Sequence, residues 1–314
     1  MTGPPEAVIA DPRGRYWVLG SSLPPFVFDS LGHFERAVGG LGGGPGEFRF
    51  PFAAVLLPGD SVLVLDRGGP RAVVVGPDLR ASRVIRSRWA LGPAVVLDWP
   101  SAVVMSGVIG TPEGAGQPLH LVRLDGSEVA IDTSFGSRNE TPGAPHRFEP
   151  PQRVTAGSRG RLWAAPATSY RVDQWTPDGR RTLSLERTPS WFSRQAGYAI
   201  GNPDTPPPSL ISAIQEDPSG LLWVFVRVPA ATWREAWRRV PEGAREVSLG
   251  QIDVEKLFAT IIEVIDPRHA RVVARARVEA WIVSALSGGR VASYGVDAGG
   301  EPRITISRWV IERD

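Results

Sequence analysis

Three features of the sequence predict an all-β chain built as a six-bladed β-propeller. First, a segment repeats without a gap one hundred residues apart: Ser61–Arg80 reads SVLVLDRGGPRAVVVGPDLR and Arg161–Arg180 reads RLWAAPATSYRVDQWTPDGR, with Arg71 and Arg171, and Pro77-Asp78 and Pro177-Asp178, at matching places. Second, a polar, Gly-containing turn followed by a run of Val, Leu, Ile, Tyr or Trp recurs along the chain, the mark of a strand bounded by turn chemistry. Third, 35 Gly and 30 Pro suit many short strands joined by tight turns, and 11 Trp and 11 Phe supply large rings for the wedges between blades. Six units in 314 residues give about 52 residues each, the size of a four-stranded blade with insertions.

The first unit opens with Ala7-Val8-Ile9, turns at Asp11–Gly14 into Tyr16–Leu19, and closes a hairpin at Asp29–Gly32. Pro58-Gly59-Asp60 leads into Val62–Leu65 of the second, which closes at Asp78-Leu79; the weaker third has Asp98–Ser101, Val103–Met105 and Asp125-Gly126. Gly157–Gly160 precedes Leu162-Trp163 in the fourth, closed at Asp178-Gly179, and Asp217–Gly220 precedes Leu221–Val226 in the fifth, closed at Asp266-Pro267-Arg268. Asp, Pro and Gly provide the side-chain acceptor, the preset φ and the positive φ these turns need. The sixth has its turn at Leu286–Gly289 and offers only three strands: Trp281–Ala285, Arg290–Val296 and Arg303–Glu312. An open edge on that last blade would be a template for strand addition by a partner.

No shift of composition marks a linker, so residues 1–314 read as a single propeller domain with a helical insertion at about 229–258. The pI of about 9.4 reflects a formal net charge of only +2 on a chain whose sole Lys is Lys256. Its Arg are scattered among 33 acids, unlike the clustered basic face of a nucleic-acid binder. Absence of Cys excludes disulfides, thiol nucleophiles and Cys-based metal sites. No apolar run reaches 18 residues, and Met1–Pro5 lacks signal-peptide features, so either the native chain starts here or a leader has been removed.

The run Gly39–Phe48, GGLGGGPGEF, followed by Phe50-Pro51 and the Asp66/Arg71 unit, resembles the junction between the first two blades of bacterial six-bladed propellers of the NHL-like and TolB-like kind; Ile262–Pro267 fits the same pattern. The resemblance covers most of the chain, with units three and five matching poorly, and Asp66 has no counterpart at Pro166 or Gly20. It implies binding and assembly, and a periplasmic or extracellular location.

Asp66 and Arg71 flank a Gly-Gly-Pro turn, where a carboxylate–guanidinium pair would brace the hairpin; facing a ligand is the alternative. The Gly39–Gly46 run lacks the Gly-Lys-Ser/Thr ending of a phosphate loop and reads as a crossover between blades. The four His (His33, His120, His146, His269) fall in different units without metal-ligand spacing, and no nucleophile elbow or His-based triad is present, so no catalytic or metal residue and no cofactor is assigned.

Insertions in a repeat fold gather on one face and carry recognition. Three stand out: Gly136–Gln152 with His146 and Arg147, Arg187–Leu210 with Trp191, Arg194 and Tyr198, and Pro229–Phe258 with Trp233 and Trp237 at helical i, i+4 spacing behind a Thr232–Glu235 capping box. These seven residues form the expected partner surface, rich in the aromatic and Arg side chains of binding hot spots, while packing of Trp233 and Trp237 onto the propeller is the plainer alternative. The sequence thus points to a non-catalytic binding or scaffold module recognising a protein, peptide or glycan through its loop-rich face. The alternative is a metal-dependent propeller hydrolase or lyase of lactonase-like kind, which needs convergent carboxylates and Asn, whereas this chain has only Asn139 and Asn202.

Overall fold

A computed structural model describes residues 4–21, 23–107, 110–111, 114–115, 118–136, 152–192, 202–237 and 252–311. Six of its sheets are the blades of a six-bladed β-propeller, each an antiparallel meander in chain order, and two further two-stranded sheets pair Gly40–Leu41 with Glu47–Phe48, in parallel, and Gly110–Thr111 with Gly114–Ala115. Blade 1 comprises Ala7–Ala10, Tyr16–Leu19, Phe26–Phe28 and Phe34–Ala37; blade 2 comprises Pro51–Leu57, Ser61–Asp66, Arg71–Val75 and Ala81–Arg86. Blade 3 comprises Ala94–Asp98, Ala102–Ser106, Leu119–Arg123 and Ala130–Phe135; blade 4 comprises Arg153–Ala156, Leu162–Ala165, Arg171–Trp175 and Arg181–Glu186. Blade 5 comprises Leu210–Glu216, Leu222–Pro229, Phe258–Asp266 and Arg271–Val278. Blade 6 has three strands among the described residues, Trp281–Leu286, Arg290–Val296 and Pro302–Arg308, as the sequence predicts.

All six expected turns fall between the first and second strands of their blades, and the five closing turns fall between the third and fourth. The two repeated segments are the second and third strands of blades 2 and 4, so Arg71 and Arg171 each begin a third strand. The insertion after Pro229 separates the second and third strands of blade 5.

The chain divides into two compact units, one of residues 5–166 and 172–184, the other of residues 1–4, 167–171 and 185–314. In the first, the period-2 alternation of the inner strands explains their continuous apolar sequence. Val62 and Val64 pack with Trp17, Leu19 and Val27 of blade 1, while Leu63 and Leu65 face Val103, Met105 and Val122 of blade 3. Both faces of the strand are therefore buried. Blade 3 repeats the device, with Val104 joining Leu162, Ala164 and Trp175 of blade 4. In the second unit, Phe225 and Ile262 of blade 5 pack with Ile282 and Val291 of blade 6.

Aspartate side chains, buried at Asp11 and half-buried at Asp217, fix the turns. Asp11 accepts from the backbone N–H groups of Arg13 and Arg15, from Arg15 Nε at 2.7 Å and from Trp17 Nε1 at 3.0 Å. Asp217 of blade 5 does the same for Ser219, Leu221 and Trp223 Nε1, the last at 2.9 Å. Both belong to an identical Asp-Pro-x-Gly-x-x-Trp spacing, Asp11–Trp17 and Asp217–Trp223.

Asp66 and Arg71 take the bracing role. Asp66, wholly buried, accepts from the backbone N–H groups of Arg49, Phe50 and Gly68 and from Arg71 Nε and Nη2, both at 3.1 Å. Arg71 then donates to the carbonyls of Gly42 (3.2 Å), Gly43 (2.8 Å), Gly44 (3.3 Å) and Glu47 (2.5 Å). The glycine-rich crossover is wrapped around a guanidinium with its carbonyl oxygens inward, the opposite polarity from a phosphate cradle, whose N–H groups point in. Gly39 is indispensable to this path: its φ is +71°, and a Cβ there would lie 1.8 Å from Gly46 O.

Candidate functional site: an arginine–glutamate–tryptophan cluster

In the unit that carries blades 5 and 6, the third strand of blade 5 is apolar and buried almost throughout, FATIIEVID, with one carboxylate in its middle. Glu263 is fully buried, and an unpaired carboxylate there would be prohibitive. It is satisfied on both oxygens. Arg275, its cross-strand partner in the register, donates to Oε1 through Nε at 2.7 Å and Nη2 at 2.5 Å. The other oxygen accepts from the Tyr170 hydroxyl at 2.5 Å and from Arg187 Nη1.

Aromatic rings frame these charges. Tyr170 makes edge contacts with Trp191 (5.9 Å) and Phe192 (5.5 Å), and the guanidinium carbons of Arg187 and Arg275 lie 5.5 Å from the Tyr170 ring and 5.8 Å from the Trp191 ring. Burial is the largest single influence on Glu263 and raises its pKa, but the hydrogen bonds from Arg187, Tyr170 and Arg275 outweigh it and hold the carboxyl below its usual range. Burial, followed by the neighbouring Glu263, pushes the Tyr170 hydroxyl upward, so it remains a donor. For Arg187, burial opposes the charge and the contacts with Glu263 more than compensate, raising its pKa.

Two guanidiniums against one carboxylate leave a net single positive charge. Their side chains are 30% (Arg187) and 47% (Arg275) exposed while that of Glu263 is 0% exposed, so the excess faces solvent. Trp191 is partly buried beside them, and among the described residues its Nε1 has no acceptor.

Three of the seven residues expected from sequence are described, and of these Trp191 alone is brought into this cluster. Arg194, Tyr198, His146 and Arg147 lie outside the described residues. Trp233 and Trp237 are 8% and 5% exposed and pack with Ile252, Val254, Leu257 and Phe258, so their rings are core and not surface. The described part of their helix is a single 3-10 turn, Glu235–Trp237. Sequence reasoning missed Glu263, Arg275, Arg187 and Tyr170, although a lone acid inside an apolar strand is itself a sign of a buried partner.

Elsewhere, His120 is buried between Ser134 Oγ and Gly107 O, both at 2.8 Å, and burial lowers its pKa, so it is a neutral structural group. No group of three or more His, Cys, Asp or Glu able to hold a metal occurs among the described residues. No described helix is long and apolar enough to cross a membrane.

No protein-family model matches the sequence, and no curated protein matches it. Solved structures match the fold over nearly the whole chain. A member of the DUF4221 family from Bacteroides vulgatus has a TM-score of 0.59 at 10% identity, covering 98% of this chain and 95% of that one. A candidate exported protein from Bacteroides fragilis scores 0.57 at 9% identity, covering 90% and 77%. The WD40 propeller domain of Doa1 scores 0.52 at 10% identity, covering 96% and 78%. At these identities the likeness is one of fold.

Proposed function

We propose that the chain is a non-catalytic binding or scaffold propeller whose partner presents an acidic protein or peptide segment to Arg187, Arg275 and Trp191. The observation that supports this reading is the pair of part-exposed guanidiniums anchored on one wholly buried carboxylate. Glu263 fixes both side chains before binding, which removes the rotamer entropy that two free arginines would lose. Their uncompensated charge and the adjacent indole match the Arg and Trp character of binding hot spots. Arg194 and Tyr198, which follow Trp191 in the sequence, are counted with it as partner-binding residues in this reading.

The kinship with NHL-like propellers rests on the Gly39–Phe48 crossover, and the extracytoplasmic setting on the same kinship; recovery of the native protein with cytoplasmic markers would overturn the latter. The binding claim is tested with a fluorescent glutamate-rich peptide. Arg275→Ala is expected to weaken its binding about tenfold, equivalent to about 1.4 kcal/mol, with a lowered melting temperature because Glu263 Oε1 loses its two donors, and Trp191→Ala with Arg194→Ala to abolish it at unchanged melting temperature. Equal affinity in wild type and variants, or loss of binding only through unfolding, contradicts the proposal.

A further inference from the structure

The fourth strand of blade 5, which carries Arg275, is the outer edge of its sheet, and no strand among the described residues pairs with its far side. At eight residues it is the longest outer strand of the six blades, and a long edge is a template for another chain. The register shows which peptide groups face outward. Ala230 N–H donates to Leu257 O at 3.1 Å, so Ala259, Ile261 and Glu263 turn their main-chain groups to the second strand, and Thr260, Ile262 and Val264 turn theirs to the fourth. Their partners there are Val278, Ala276 and Ala274, which leaves the N–H and C=O groups of Arg275 and Arg277 pointing out of the sheet. Glu263 and Arg275 are then a non-hydrogen-bonded pair, the kind whose side chains lie closer, in keeping with the contact between them. Toward the start of the strand, Val273 is the extra residue of a bulge and interrupts the row.

Arg275 and Arg277 are exposed on one face of the strand, and Ala276 and Val278 are half-buried on the other. Glu263 holds Arg275, while Arg277 donates to Pro229 O at 2.9 Å and to Glu279 at 2.6 Å, so both guanidiniums are fixed on their face before a partner arrives. The Arg277–Glu279 pair is about half exposed, the kind that contributes little and leaves the guanidinium open to a second carboxylate. A second copy of this strand would set Arg275 against Arg277, and like charges directly opposite repel. An extended segment with carboxylates at alternate positions meets both guanidiniums instead. Its intervening side chains fall on the face of Ala276 and Val278, which favours apolar ones there. Main-chain hydrogen bonds then supply affinity, and the alternate side chains supply specificity.

We infer that the acidic segment binds in extended form, as a fifth strand on the outer edge of blade 5, its main chain paired with that of Arg275 and Arg277 and its alternate carboxylates facing their guanidiniums. The inference rests on the acidic-peptide reading above and adds the conformation and spacing of the partner. The test is a fluorescence-anisotropy titration of the full chain with a peptide of alternating Glu and Val. In the inferred pairing the Glu N–H groups face the edge and the Val N–H groups face away. N-methylation of the Glu amides is therefore expected to weaken binding by about tenfold or more, while N-methylation of the Val amides leaves it within about twofold. A peptide of the same composition with its Glu residues grouped is expected to bind about tenfold more weakly, and hydrogen exchange at the Arg275 and Arg277 amides should slow when the alternating peptide is bound. Binding that is indifferent to which amides are methylated, equal affinity for the grouped peptide, or unchanged exchange at both amides overturns strand addition and leaves the acidic-peptide reading standing. Failure of both peptides to bind overturns the two together.

Discussion

Replacing Asp66 with Ala isolates the contribution of a buried carboxylate to this fold. Asp66 accepts five hydrogen bonds, three from the backbone N–H groups of Arg49, Phe50 and Gly68 and two from Arg71. Alanine strands the three N–H groups at about 1 kcal/mol each and leaves Arg71, only 9% exposed, without its counter-charge. The four carbonyls of the glycine-rich crossover still cradle the guanidinium, which keeps the loss to about 3–5 kcal/mol, the range for removing one partner of a buried pair. Urea unfolding followed by tryptophan fluorescence reads this as a midpoint lowered by about 1–2 M for a slope near 3 kcal/mol/M. Arg13→Ala is the control: its pair with Asp60 is about half exposed, and a change within about 0.5 kcal/mol is expected. If Asp66→Ala moves the midpoint no further than Arg13→Ala, the bracing role is refuted.

Two further outcomes follow from the same physics. Because the Glu263 carboxyl titrates below its ordinary value of 4.5 in the folded chain, its stabilising contribution is fully present above that value and is lost as pH falls through the folded pKa. Glu263→Gln is therefore expected to flatten the acid limb of the stability profile below about pH 4.5, and an unchanged limb would contradict the account. Gly39→Ala is expected to cost about 2 kcal/mol or more in the urea midpoint, because its positive φ and the Gly46 carbonyl leave no room for a methyl group, whereas Gly40→Ala, which meets nothing within 4 Å, stays within about 1 kcal/mol; equal effects would show that the crossover path is not fixed at Gly39.

The blade plan was legible because it rests on local chemistry. Asp-Pro and Gly turns at Asp11, Asp78, Asp178 and Asp217, and apolar runs such as Val62–Leu65, announce hairpins without any knowledge of tertiary contacts, and even the three-stranded last blade could be read from strand spacing. The candidate site was legible in one residue only. Trp191 drew notice as an aromatic in an insertion, but Tyr170, Arg187, Glu263 and Arg275 are joined across up to 93 residues of chain, and their union depends on register and blade packing. Trp233 and Trp237 illustrate the converse: an aromatic pair at helical spacing has the same sequence signature in a core as on a binding surface, and here the rings close over Phe258 and Leu257.

The most direct test of the central claim is removal of one charge at the rim of the cluster that leaves Arg187 and Tyr170 on Glu263 and offers its other oxygen an amide donor. With Arg275→Gln, the anisotropy of the glutamate-rich peptide should reach its bound value only at concentrations about tenfold above those that saturate wild type, equivalent to about 1.4 kcal/mol. Undiminished capture of the acidic peptide by a folded Arg275→Gln protein would contradict the account.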